Sequence, residues 1–232
     1  MTLTVVGVVC ALASEARHLR PSDATLVALS GMGGAAATQS ARSLADAGAQ
    51  ALVSWGMAGG LDPAFVPGTI FLASEVASPD GATVVPTDQS WREKLGAAIG
   101  PAQPRPVLHG RLLTTPKAVG SQAEKAVLFR QTGAAAVDME SLAIAAVARE
   151  RRLPFIAVRV IVDSAADTLP EAVTAAADSE GHLQVWRLMG ALARTPSELP
   201  ALMRLGRRYR AANRSLATVA RVGFGSINMG AG

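Results

Sequence analysis

Asp138 and Glu140 flank Met139 in the stretch GAAAVDMESLAIAAVARE, residues 133–150, where the surrounding side chains are mostly alanine and aliphatic. Carboxylates are costly to bury alone, so two of them in such a segment call for partners or for chemistry. Further acids stand in comparable places. Glu15 follows an apolar run in CALASEARHL, and Asp163 ends another in FIAVRVIVD. Glu15, Glu140 and Asp163 together could carry acid–base chemistry in a pocket with apolar walls. Each also has a plainer reading, which stays open residue by residue. Glu15 suits the first turn of a helix, Asp163 suits a helix N-cap, and Asp138 and Glu140 suit the positive end of a helix. Arg159, four residues before Asp163, sits among apolar neighbours and needs a carboxylate or phosphate partner.

Two glycine-rich stretches accompany these acids. GMGGAA, residues 31–36, and WGMAGGLDP, residues 55–63, each follow an apolar run. The first fits Gly-x-Gly-x-x-Ala, yet it follows the second strand and no acid lies about 20 residues on, so a dinucleotide site is disfavoured. A turn around Gly33 can present backbone N–H groups to an anion or a sugar hydroxyl, or can simply turn the chain. Met57 and Gly59 open the second turn, where glycine lets a ligand ring approach the backbone. His18, His109 and His182 show no metal-ligand spacing, there is no Gly-x-Ser-x-Gly elbow, and Cys10 lies inside the first apolar run. Metal chemistry and covalent Ser or Cys catalysis are therefore disfavoured, and no cofactor is expected.

The elements that must position these residues alternate. LTVVGVVCAL, TLVALS, QALVSWGMAGG, GTIFLASEVAS, GRLLTTP and LPFIAVRVIVD read as strands. AAATQSARSLADAGA, SQAEKAVLFRQTG and SLAIAAVARERR read as helices between them. Strands that are apolar throughout are covered on both faces. The pattern predicts a single three-layer α/β/α domain with a central, mostly parallel (mixed) sheet. Residues 1–182 form the α/β body, and residues 183–232 an Arg-rich C-terminal helical extension of the same domain. In such sheets ligands bind beyond the carboxyl ends of the strands, where the glycines and the acids fall.

Composition narrows the setting. Half of the 232 residues are hydrophobic and only 4% are aromatic. One cysteine excludes a disulfide framework and points to a reducing compartment. The N-terminal apolar run has no Lys or Arg ahead of it, so it reads as a buried strand and not as a signal peptide. A cytoplasmic protein is expected. The net charge of +4 is unevenly placed: residues 183–222 carry eight arginines against Glu198, leaving 14 basic and 17 acidic residues elsewhere. Two helices are expected there, with TPSELP between them. A basic amphipathic helix suits an anionic membrane surface; a core-packed helix with a solvated arginine face is the alternative. No nucleic-acid module accompanies the charge, so no nucleic-acid partner is expected.

Taken in order, CALASEARHL, LSGMGGAAATQSA, WGMAGGLDP, PGTIFLASE and AVDMESLAIAAVARERRLPFIAVRVIVDSAAD resemble the nucleoside phosphorylase and nucleosidase superfamily, especially the methylthioadenosine/adenosylhomocysteine nucleosidases. LPEAV and the tail LARTPSELPALMRLGRRYRAA resemble the hopanoid-associated branch, whose members remove adenine from adenosylhopane to give ribosylhopane. The resemblance implies that Asp163 protonates adenine at N7 and that Glu15 activates the attacking water. It implies that Glu140 binds the ribose hydroxyls, that Met139 packs under the sugar, and that Arg159 lies near the water and Glu15. It also implies a small-molecule substrate, a 5′-substituted adenosine, and a homodimer. A soluble enzyme acting on a lipid-linked nucleoside would sit peripherally at the inner membrane face. Two departures stand out. Met57 replaces a serine in the glycine turn, and TTPKAVG offers Lys117, Ala118 and Val119 where the nucleosidases stack an aromatic on adenine. A carboxylate at position 15 would repel phosphate, so hydrolysis is expected over phosphorolysis. Alternatives are a phosphorylase, a nucleosidase for methylthioadenosine or adenosylhomocysteine, and a catalytically silent lipid- or nucleotide-binding protein.

Overall fold

The computed structural model describes residues 4–22, 24–168 and 199–224. The apolar runs form strands β1 (Val6–Cys10), β2 (Thr25–Leu29), β3 (Ala51–Gly60), β4 (Ile70–Ala77), β6 (Leu108–Thr114) and β8 (Phe155–Asp163). Two short strands join them, β5 (Val84–Pro86) and β7 (Ala136–Asp138). The helices are α1 (Ala13–Ala16), α2 (Gly34–Asp46), α3 (Gln89–Ile99), α4 (Gln122–Thr132), α5 (Ser141–Arg151) and α6 (Leu199–Val222). Of the two expected C-terminal helices, α6 is the second. The first, over residues 183–194, lies outside the described residues.

The mixed α/β layers follow the expected pattern, and the sheet adds a closure that alternation alone does not reveal. Strands β2, β1 and β3 run parallel. Beyond β3 the pairing branches. β8 runs parallel to β3 and antiparallel to β4, β4 is parallel to β6, β6 to β7, and β7 returns antiparallel to the end of β3. Strands β3, β8, β4, β6 and β7 therefore hydrogen-bond in a closed circuit beside an open parallel wing. Strand β7 contributes only three residues, which is why AVD reads in sequence as the approach to a helix.

Burial on both faces of the sheet builds two core layers. On one face Ala37, Ala41 and Leu44 of α2, at helical spacing, pack with Ile144, Ala145 and Ala148 of α5 over Val9, Leu52 and Ala157. The small side chains let these helices approach closely, and a Cβ on Gly34 would already touch Ala143. On the other face Trp91, Leu95 and Ile99 of α3 meet Trp55, Val158 and Val160. Ala212, Leu216 and Val219 of α6, each 0% exposed, complete that layer. Phe224 packs edge-on against Trp55 at 5.4 Å between ring centroids. The described part of the basic tail thus packs on the body, with Arg204, Arg207, Arg210, Arg214 and Arg221 left on its exposed face. Among the described residues, no helix is long and apolar enough to cross a membrane.

Candidate active site

Helix α1 follows β1 directly and brings Glu15 back over the sheet. The side chain is 4% exposed. Its Oε2 accepts the Leu12 N–H at 3.1 Å, closing the first turn of α1, and its Oε1 accepts the Met57 N–H at 2.9 Å. The side chain expected at a helix start therefore closes that turn and also lines the cavity of the site. Gly56 makes the approach possible, because a Cβ there would stand 2.7 Å from Oε1. Burial pushes the Glu15 carboxyl above its ordinary range, opposed by the Met57 N–H and by the charge of Arg159.

Glu140 sits at the start of α5, outside the helical conformation, and points toward the turn after β2. There the Gly33 N–H donates to Glu140 Oε1 at 2.9 Å. Gly33 adopts φ +97°, a conformation that favours glycine, so the turn aims its N–H at this carboxylate. Of the partners left open for this turn, its Gly33 N–H meets a carboxylate of the chain itself. Burial, followed by the nearby charge of Asp138, pushes the Glu140 carboxyl up to about 7.

Asp138, two residues earlier, serves another partner. Its Oδ2 accepts from Arg159 Nε at 2.9 Å and Nη2 at 2.6 Å, and its Oδ1 accepts from Thr114 Oγ1 at 2.7 Å. Arg159 Nη2 also donates to Ser54 Oγ at 2.6 Å and Ser141 Oγ at 2.8 Å. The partner that the buried arginine needed is thus Asp138. Arg159, Glu15, Ser54 and Glu140 border a small chamber of about 20 Å³, enough for one water molecule.

Asp163 ends β8 beside Gly59 of β3, where the register of the two strands shifts. It is 6% exposed. Its Oδ2 accepts from Lys125 Nζ, a residue of α4 that is fully buried. Burial pushes the Asp163 carboxyl up; the charge and hydrogen bond of Lys125 pull against it. Sequence reasoning did not single out Lys125. The sequence signal was slight: Leu128 and Phe129, three and four residues on, share its side of α4 and pack against the core.

Glu15, Met57, Gly59, Met139, Glu140 and Asp163 all line one cavity of about 180 Å³. Met32, Ala118, Val119 and Val162 add apolar wall, and Ala11, Glu15, Met57 and Glu140 are shared with the small chamber. Among the described residues no lysine or arginine lines the larger cavity. Arg159 borders only the small chamber, and Gly33 acts through Glu140. The loop TTPKAVG contributes Thr115, Ala118 and Val119 and no aromatic ring. Such a cavity can hold a flat, largely apolar ligand between an acid at one side and a carboxylate with a water-sized chamber at the other.

A partly closed mixed sheet with carboxylates gathered over its strand ends defines an α/β protein of the nucleoside phosphorylase and nucleosidase class. Residues 22–191 match the model of the phosphorylase superfamily, and the chain belongs to that family. Among solved structures it is similar to a 5′-methylthioadenosine/S-adenosylhomocysteine nucleosidase from Neisseria meningitidis in complex with methylthio-immucillin-A. The TM-score is 0.71 at 19% identity, covering 95% of this chain and 98% of that one. It is likewise similar to the futalosine hydrolase of Helicobacter pylori, with a TM-score of 0.68, 18% identity and 95% of each chain covered. An S-adenosylhomocysteine nucleosidase from Streptococcus pyogenes in complex with 5-methylthiotubericidin superposes with a TM-score of 0.67 at 16% identity, covering 94% and 97%. No curated protein matches by sequence.

Proposed function

We propose that this protein hydrolyses the N-glycosidic bond of a 5′-substituted adenosine, and that its substrate is adenosylhopane, giving adenine and ribosylhopane. The observation that carries the reading is the gathering of Glu15, Glu140 and Asp163 around one apolar-walled cavity. As the bond between C1′ and N9 breaks, the electron pair goes to the purine, and Asp163 gives its proton to N7. The sugar passes through an oxocarbenium-like state, which carboxylates beside the ring stabilise. A water in the chamber beside Glu15 and Arg159 adds to C1′ and loses its proton to Glu15. Glu140, anchored by Gly33, binds the ribose hydroxyls over Met139.

Hydrolysis is favoured over phosphorolysis by charge. A phosphate dianion in the larger cavity would face the Glu15 carboxylate, which must be ionised to take the water's proton, with no lysine or arginine in the described wall. Arg159 offers it little, being engaged by Asp138, Ser54 and Ser141. The lipid-linked 5′ group rests on the resemblance to the hopanoid-associated branch. Support comes from the exposed arginines of α6, a basic face suited to docking on the anionic inner face of a membrane. The homodimer implied by the family is part of the same reading.

Purified protein incubated with adenosylhopane in detergent, and separately with 5′-methylthioadenosine, should release free adenine without added phosphate. Release that requires phosphate would make the enzyme a phosphorylase. No release from either, by a protein whose Asp163→Asn variant binds them like the parent, would make it a binding protein. Faster turnover of methylthioadenosine than of adenosylhopane would overturn the lipid substrate alone.

A further inference from the structure

Lys125 is the one buried residue of α4, and it is 0% exposed. Its Nζ donates to three acceptors: Asp163 Oδ2, Ser164 O at 2.9 Å and Asp167 O at 3.1 Å. Three acceptors match the three hydrogens of an ammonium, whereas a neutral amine would leave one of them unserved. The cage is itself held. Asp167 Oδ2 accepts from Ser164 N and Ser164 Oγ, both at 2.8 Å, and Asp167 Oδ1 pairs with Arg208 of α6 at 2.6 Å. Among the described residues Asp163 Oδ1 accepts no hydrogen bond, so Lys125 occupies one oxygen of a cavity-lining carboxylate and leaves the other available.

We propose that Lys125 is the positioning residue for the leaving-group acid: it fixes Asp163 through Oδ2, presents Oδ1 to the purine, and stabilises the carboxylate that Asp163 becomes. This deepens the hydrolase reading and rests on it for its substrate. The proton account is simple. Protonated Asp163 gives its hydrogen to N7 as the C1′–N9 electron pair enters the purine, and a negative charge appears on Asp163 in a site with little water. The ammonium of Lys125 is the nearest opposite charge to that developing anion, so it acts most strongly after the proton has begun to leave. Interactions that strengthen toward the transition state raise the rate, not the affinity. The groups facing Asp163 are Lys125 from α4, Asp167 from the loop after β8, and Arg208 from α6. Of these, Lys125 alone bonds the carboxylate directly. Burial and Lys125 are the largest opposing influences there, and removing the cation leaves burial, reinforced by Asp167, opposed only by the smaller effect of Arg208.

Two neutral variants test this. Lys125→Gln keeps a side-chain donor without the charge, and Lys125→Met keeps the length without either. Both should lower kcat for adenine release by about 100-fold with KM within a few-fold, in the range of a general-acid contribution. A ribosyl substrate with p-nitrophenolate as its leaving group departs without a proton and should lose less than 10-fold. The Asp163 carboxyl band, assigned by infrared difference against Asp163→Asn, should titrate at higher pH in Lys125→Gln than in the parent. Equal losses for both leaving groups, or an unmoved Asp163 titration, would overturn the proposal. The infrared titration needs no substrate, so it judges Lys125 even if the parent cleaves no nucleoside and the hydrolase reading falls. If both neutral variants fail to fold, the parent decides: an Asp163 still protonated at pH 9 would show that Lys125 does not act on it.

Discussion

Asp138 and Arg159 form a buried ion pair in which one carboxylate oxygen, Oδ2, receives both Nε at 2.9 Å and Nη2 at 2.6 Å of the guanidinium. The side chains are 1% and 3% exposed, respectively. Breaking such a pair from one side strands a charge in the core, at a typical cost of about 3–5 kcal/mol. Asp138→Ala and Arg159→Met should each lose stability of that order in urea denaturation. A joint Asp138→Leu/Arg159→Met replacement removes both charges and should lose clearly less than the sum. An additive double variant would mean that the two residues are not coupled.

The same pair marks what the sequence could and could not convey. The need of Arg159 for an anionic partner follows from its place in an apolar strand, but the partner's identity depends on β7 lying next to β6 and against the end of β3. A three-residue strand has too short a pattern to be recognised. The apolar runs and their glycine exits were legible because every residue in them reports the same buried environment. The closed circuit of β3, β8, β4, β6 and β7 was not, since strand order is a long-range property that alternation does not encode. Glu15, Glu140 and Asp163 stood out as acids at strand exits. Lys125 did not, because a lysine in a helix ordinarily lies on the solvated face, and its acceptors come from far along the chain, at the end of β8 and in the loop after it.

Glu140 makes folding pH-dependent in a defined direction. Its carboxyl is raised to about 7, chiefly by burial and then by Asp138, so the folded protein holds a proton that the unfolded chain has already released. Stability therefore falls as pH rises from the ordinary glutamate range of about 4.3 to about 7, and levels off above that. Glu140→Gln keeps an oxygen for the Gly33 N–H and has no proton to lose. Its stability relative to the parent should rise across that window and stay flat beyond it. Thermal denaturation of both proteins from pH 4.5 to 8.5 reads this directly, and a gap independent of pH would contradict it.

Glu15→Gln separates position from basicity. The amide oxygen can still accept from Met57 N–H, but the amide NH2 then faces the Leu12 N–H, so the fold should persist with a stability loss of about 1–3 kcal/mol. Proton acceptance from water is lost, and a general base typically contributes 10²- to 10⁴-fold. Adenine release should fall by about 10³-fold while a substrate analogue binds with nearly parental affinity by calorimetry. Parental turnover in this variant would remove Glu15 from the chemistry.

Gly56 provides the sharpest test of how the fold sets the site. A Cβ on this residue would lie 2.7 Å from Oε1, 2.9 Å from Cδ and 2.9 Å from Oε2 of Glu15, closer than real Cβ contacts approach. The carboxylate cannot simply swing aside, because Met57 N–H and Leu12 N–H hold its two oxygens and Trp55 Nε1 holds the Glu15 carbonyl at 3.1 Å. Gly56→Ala must therefore displace the Glu15 side chain or pull α1 away from β3. Overpacking of this kind typically costs about 1–3 kcal/mol of stability, whereas moving a reacting group by about 1 Å can cost about 10²-fold in rate. The variant should remain folded at 25 °C, bind a nucleoside analogue, and lose adenine-releasing activity out of proportion to its stability. Introducing Glu15→Gln into the same chain should then add little further loss, because the carboxylate is already misplaced. Multiplicative losses in the double variant would show that Gly56 and Glu15 act independently and that the close approach has no bearing on catalysis.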